Sequence, residues 1–115
     1  MTDTLPVLIS FVDSEQRYRF NNRAYEEWFG QPAAEVYRKH IREVLGESAY
    51  EVIRPYVEQV LSGVQVSFES QIPYLDGGTR YVNAIYVPLF NQQGIIEGYA
   101  ALISDISKQR YAIAF

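Results

Sequence analysis

Tyr18-Arg19-Phe20-Asn21-Asn22-Arg23-Ala24-Tyr25-Glu26-Glu27-Trp28-Phe29-Gly30 is the stretch whose reading decides the fold. Tyr18-Arg19-Phe20 alternates as a half-buried strand does. Asn21-Asn22 follows, and Asn caps helices through its side-chain oxygen. Ala24, Tyr25, Trp28 and Phe29 then share one helical face, and Gly30 supplies the left-handed residue past the helix end. Upstream, Val7–Val12 is a short apolar run closed by the polar turn Asp13-Ser14-Glu15-Gln16. Downstream, Pro32 opens a further helical turn over Ala33–Tyr37, where its missing N–H costs nothing. Ile41, Val44 and Leu45 give another short helix stopped by Gly46.

Glu47–Leu61 is the longest helical segment, with Ala49, Tyr50, Ile53, Tyr56, Val57, Val60 and Leu61 at three and four spacing. Pro55 inside it removes a backbone hydrogen bond and predicts a kink, or two helices meeting there. After Gly63 the period changes to two: Val66, Phe68, Ser70 and Ile72 alternate with polar residues. Asp76-Gly77-Gly78 is a hairpin turn. Arg80–Leu89 and Ile95–Ile106 are the next strands, with a turn over Asn91–Gly94 between them. Two strands, several helices and a three-strand antiparallel meander make the fold class α+β.

The composition agrees with one globular domain and narrows its chemistry. The chain has 115 residues, 48% hydrophobic and 21% charged, enough for a single core. Its net charge of −4 argues against a phosphate-backbone partner, so no nucleic acid is expected. No apolar run reaches the roughly 18 residues of a membrane span. Met1-Thr2-Asp3-Thr4 lacks the basic region and apolar stretch of a signal peptide, so a cytoplasmic location is expected. With no Cys, disulfides and thiolate chemistry are excluded.

Neither face of the last two strands is charged. Tyr99, Ala101 and Ile103 lie on one side of the final strand, with Gly98, Ala100, Leu102 and Ser104 on the other. On the preceding strand Val82, Ala84 and Tyr86 oppose Tyr81, Asn83, Ile85 and Val87. A sheet with one wet face alternates apolar and polar residues cleanly, so something is expected to cover the second face.

The ordered set of motifs resembles the PAS family. Leu5-Pro6 leads into Phe11-Val12-Asp13, and Tyr18 to Gly30 looks like the family's strand-Asn-helix-Gly segment. Val87-Pro88-Leu89, Gly94, Gly98 and Asp105-Ile106-Ser107 look like its closing hairpin and terminal Asp-Ile-Thr motif, with Ser in place of Thr. The match runs from about Leu5 to Arg110. The resemblance implies a five-stranded antiparallel sheet with several short helices on one face, enclosing a pocket. It also implies a sensory input domain over residues 1–107. Residues 108–115 then begin a connector helix to an output domain such as a histidine kinase or a diguanylate cyclase.

Specific chemistries are tested by the residues present. A flavin–cysteine adduct or a thioester-linked chromophore needs a Cys. Haem-binding members of the family place an axial His on the long helix, whereas the only His, His40, lies between short helices. One imidazole makes no zinc site. Ser48, Ser62, Ser67 and Ser104 have no arranged base, so no catalytic residue, no enzyme activity and no metal are expected. Asp105 reads as the residue that fixes the exit helix, with Ser107 as its cap from Lys108 onward.

A pocket remains. Its expected wall is Phe68, Ser70, Ala84, Tyr86, Tyr99, Ala101 and Ile103 from the sheet, with Tyr25, Trp28, Phe29, Tyr50 and Ile53 from the helices. The small residues Ser70, Ala84 and Ala101 could leave volume, and the tyrosine hydroxyls could supply polar contacts. The cofactor is open: a non-covalent flavin and an apolar metabolite both fit. On the outer face Ile85, Ala100 and Leu102 form the expected homodimer interface. The alternative reading is an interaction module without a ligand.

Overall fold

The computed structural model describes residues 7–108. Strand β1 (Val7–Asp13) turns through Asp13–Arg17 into β2 (Tyr18–Asn21). Asp13 closes that turn: its carboxylate accepts the N–H groups of Glu15 and Arg17 at 2.9 and 3.0 Å. It also accepts Nε–H of Arg19 at 2.6 Å. Burial alone would raise the Asp13 pKa, but these donors outweigh it and hold the carboxyl below its ordinary value.

Helix α1 (Arg23–Phe29) follows β2 directly. Asn22 occupies the helix start, but its side chain does not cap it. Its Oδ1 accepts the N–H of Ile9 at 3.0 Å and its Nδ2 donates to the Val7 carbonyl at 2.8 Å. Asn22 therefore satisfies β1 backbone groups beyond the end of β2, a demand that outranks the helix cap. Gly30 ends α1 at φ 72° and donates to the Glu26 carbonyl at 2.7 Å. The Glu26 side chain reaches on to accept the N–H of Ala33 at 3.1 Å, which starts α2 (Ala33–Val36). Helix α3 (Ile41–Leu45) is capped by His40, whose Nδ1 accepts the Arg42 N–H at 3.0 Å.

Helix α4 (Glu47–Leu61) is a single element rather than two, although Pro55 lies inside it. Pro55 sits on the exposed face, as does Glu51, whose carbonyl loses its partner. On that exposed face water can take the place of the missing donor, so the lost bond does not break the helix.

Strands β3 (Val66–Tyr74), β4 (Gly78–Phe90) and β5 (Ile96–Asp105) form the meander. The five strands are antiparallel in the order β2-β1-β5-β4-β3, the α+β arrangement expected from the sequence. The first described strand, β1, therefore lies inside the sheet, beside the central strand β5. Leu8, Ser10 and Val12 of β1, Val82, Ala84 and Tyr86 of β4, and Tyr99 and Ala101 of β5 are buried against the helices. On the other face Ile9 lies opposite Leu102, which lies opposite Ile85, and Phe11, Ala100 and Val87 form a second such row. Ile9 and Leu102 are 39% and 36% exposed, so that apolar face is uncovered by the described residues.

Beyond β5, Ser107 and Lys108 have helical geometry. Ser107 is thus the first helical residue rather than the cap, and its Oγ accepts the N–H of Tyr81 at 3.0 Å. Of the expected connector helix, residues 109–115 lie outside the described residues. No described helix is long and apolar enough to cross a membrane.

The β1–β5 pairing leaves no room at Gly98, opposite Asp13. A Cβ there would run into the Val12 carbonyl oxygen and lie 2.8 Å from the Asp13 Cα. Gly98→Ala is therefore expected to cost about 3 kcal/mol, through overpacking and strain. Urea unfolding measures this loss, and a loss below about 1 kcal/mol would mean the strands part without penalty there.

Candidate functional site

The inner face of β1, β5 and β4 and the facing sides of α1, α3 and α4 leave a cavity of about 30 Å³. Tyr25 and Phe29 line it from α1, Ile53 from α4, Tyr86 from β4, and Tyr99, Ala101 and Ile103 from β5. These are residues the sequence places on a pocket wall. The structure adds Leu8, Ser10 and Val12 of β1, Tyr18 of β2, Ile41 and Leu45 of α3, and Tyr74 of β3.

Trp28, Tyr50, Phe68, Ser70 and Ala84, also expected on the wall, lie elsewhere. Phe68 stacks on Tyr56 at 3.9 Å with rings 6° from parallel and meets Tyr86 edge-on. Ala84 faces Phe68 on one neighbour strand and Ile103 on the other, and is fully buried. Ser70 is half-buried nearer the sheet edge. The β3–β4 end is therefore packed by aromatic rings, and its small residues Ser70 and Ala84 do not line the cavity. Tyr50 points away, donating its hydroxyl to Gln16 Oε1 at 2.6 Å. Trp28 sits at the outer end of α1, under the guanidinium of Arg80.

The missed residues follow from topology. β1 becomes a wall strand only because it inserts beside β5. The alternation Leu8, Ser10, Val12 was the available signal, since these three share one strand face. Ser10 is the polar member and donates its hydroxyl to the buried Asn21 Oδ1.

No charged residue lines the cavity. Burial pushes the hydroxyls of Tyr18, Tyr25, Tyr74, Tyr86 and Tyr99 above the usual tyrosine range, so all five are neutral at physiological pH. Tyr25 is 0% exposed, and its hydroxyl has no hydrogen-bond partner among the described residues. The Tyr18 hydroxyl lies near enough to offset part of the upward shift that burial causes, yet the two do not reach hydrogen-bonding geometry. The wall is thus apolar and aromatic, with neutral hydroxyls and one unpaired polar atom. It offers hydrogen bonds and ring contacts to an uncharged group, and holds no base or nucleophile poised for catalysis.

His40 stands outside this cavity, its ring 5.7 Å from that of Tyr50. Burial, with Arg17 and Arg42 beside it, keeps the imidazole below its ordinary pKa and so in the neutral form that caps α3. No group of three or more potential metal ligands occurs among the described residues.

At the exit from the sheet, Asp105 accepts Nη1–H of Arg80 at 2.6 Å and the N–H of Ser107 at 2.9 Å. Burial alone would raise the Asp105 pKa, but the bonds from Ser107 and Arg80 prevail and lower it.

A family model described as the PAS fold matches residues 2–111. None of the curated proteins compared matches the chain. Among solved structures, a sensory box sensor histidine kinase from Vibrio cholerae superposes with a TM-score of 0.76 at 20% identity, over 91% of this chain and 85% of that one. The PAS domain of a protein from Colwellia psychrerythraea gives 0.75 at 16% identity, over 89% and 87%. The N-terminal domain of a diguanylate cyclase with a PAS/PAC sensor from Marinobacter aquaeolei gives 0.71 at 15% identity, over 91% and 99%.

An unpaired buried hydroxyl costs about 1–3 kcal/mol relative to an apolar atom in the same place. Tyr25→Phe is therefore expected to leave the unliganded protein as stable as wild type or more so, by up to about 3 kcal/mol. Chemical unfolding of the two proteins checks this. A clear loss of stability would mean that the hydroxyl is paired in solution.

Proposed function

The chain belongs to the PAS-fold family, and from that premise we propose that it is a sensory input domain that takes an uncharged small molecule between sheet and helices. The observation that carries this reading is the cavity beside Tyr25, where a buried hydroxyl lacks a partner inside an aromatic wall without charges. A ligand with one donor or acceptor would satisfy that hydroxyl, whereas a charged ligand would face an uncompensated desolvation cost. The ordinary role of PAS domains is sensory and not catalytic, and the wall's chemistry agrees with it.

The size of the cavity bears on the cofactor. About 30 Å³ is room for one or two waters. Ligands of drug size occupy roughly 300–1,000 Å³, so a non-covalent flavin would need the walls to part widely. A compact metabolite that displaces a few side chains is the better reading. The signal would pass to an attached output domain through the turn at Asp105 and Ser107 and the helix beginning there. The resemblance to kinase and cyclase PAS domains supports a histidine kinase or a diguanylate cyclase in that role.

The outer sheet face supports a second element of the reading, a homodimer. Ile9, Leu102 and Ile85, with Phe11, Ala100 and Val87, make two uncharged rows across the three central strands. A contiguous apolar patch of this kind marks an interaction surface. One self-complementary patch is enough for a two-fold interface.

Native mass spectrometry of the purified domain should find a bound species of low mass that Ala101→Phe excludes. That variant fills the cavity beside Tyr86 and Ser10, at an expected cost of about 1–3 kcal/mol. A domain that carries nothing, and whose full-length output is unchanged by Ala101→Phe, would be an interaction module instead.

Leu102→Arg would bring two charges into one apolar interface. The variant is expected to stay folded and to sediment as a monomer where wild type sediments as a dimer. A monomeric wild type at high concentration would remove the dimer.

A further inference from the structure

Arg80 occupies an unusual place for a charged residue. It is the third residue of β4 and lies opposite Ile72 on the inner face of the sheet, at the end of the core. Its guanidinium makes three contacts, each to a different part of the chain. Cζ stands 4.6 Å from the centre of the Trp28 ring, a cation–π contact with the last turn of α1. Nε–H donates to the Gly77 carbonyl at 3.1 Å, in the β3–β4 turn. Nη1–H donates to Asp105 Oδ2 at 2.6 Å, in a pair whose side chains are 25% and 24% exposed.

Each contact leads further. Asp105 uses its other oxygen, Oδ1, to hold the N–H of Ser107, the first helical residue of the exit. Ser107 Oγ in turn accepts the N–H of Tyr81, the neighbour of Arg80 on β4. On the other side, Trp28 shares α1 with Tyr25 and Phe29, which line the cavity. Phe29 also packs against the turn, where a Cβ at Gly77 would lie 2.7 Å from its ring. A helix of seven residues whose Phe29 ring packs against both Tyr25 and Trp28 moves as a body, because those rings cannot shift independently.

We propose that Arg80 is a positioning residue that ties the position of α1 to the turn starting the C-terminal helix, through Trp28 on one side and Asp105 on the other. The inference rests on the reading of the chain as a signal relay and names the path of that relay. A displacement of α1 by cavity contents carries the indole with it. The planar guanidinium must then give up either the ring face or the Asp105 oxygen. Loss of the second frees Asp105, and the Ser107 N–H loses the oriented acceptor that starts the helix. Lysine would not serve, since a point charge cannot lie flat on the indole while directing two N–H groups along fixed lines.

Amide hydrogen exchange at Ser107 and Tyr81 tests the link in the isolated protein without any ligand. Trp28 touches neither amide, yet Trp28→Leu is expected to speed exchange at both by about fivefold, within the coupling range of side chains sharing one partner. Trp28→Phe keeps a ring face under the guanidinium and is expected to restore most of the protection. Val44→Ala, a core change in α3 away from Arg80, serves as the control at matched stability. A double-mutant cycle of Trp28→Leu and Asp105→Asn should be non-additive in the unfolding equilibrium, by about threefold or more. If Trp28→Leu exchanges as the control does and the cycle is additive, Arg80 is only structural and the proposal falls. The sensor reading fails by a different sign, an empty cavity and an unaltered output, so the two failures are distinguishable.

Discussion

The whole arrangement depends on the insertion of β1 between β2 and β5. Seven residue pairs, from Val7 opposite Ser104 to Asp13 opposite Gly98, hold β1 against β5. This contact has the longest sequence separation in the sheet, so it carries the largest loop-closure cost and must be compensated by good fit. The fit is backbone on backbone at Gly98, supported by Asn22, which completes the bonding of β1 beyond β2. Because strand faces alternate, that register decides which residues look at the helices. A slip by one residue would send Ile9 and Phe11 inward and expose Leu8, Ser10 and Val12. The cavity, the outer apolar rows and the exit turn all inherit their positions from this pairing.

Much of this was legible in the chain because it rests on local chemistry. The short helix from Arg23 to Phe29 is announced by four apolar residues at helical spacing and ended by a glycine. The change to period two after Gly63 marks the meander. The two faces of β4 and β5 can be read from alternation alone, and the structure pairs them as alternation requires. The pocket was legible only in part, since its position is a matter of sheet order. Reading Ala84 and Ser70 as space-makers assumed a cavity over the middle of the meander. There Tyr56 and Phe68 stack into the gap instead. The open volume lies over β1 and β5, next to Ala101, where the opposing residues come from α1, α3 and α4.

Side-chain roles at element ends were the least legible, because Asn, Ser and His each have several possible partners. Asn22 stands where a cap belongs but serves the neighbouring strand. Ser107 stands one residue inside its helix and serves β4. His40 does cap a helix, which nothing in its sequence surroundings announces. In each case competing backbone groups decide the matter, and the winner is the group with no other source of a bond. Pro55 is the reverse case. A residue with a strong local rule is accommodated because it lies on the exposed face of its helix.

Trp28 is the chain's one tryptophan, and its place under Arg80 has an optical consequence. All indole emission arises from a single ring that is 7% exposed and stands beside a fixed positive charge. Tyr74 stands in ring contact with it, and Tyr25 and Tyr74 both meet the neighbouring Phe29 ring, so buried tyrosines lie close by as energy donors. The protein thus carries its own fluorophore at the junction between the cavity wall and the C-terminal turn. Its colour and lifetime read the local field there with no label attached.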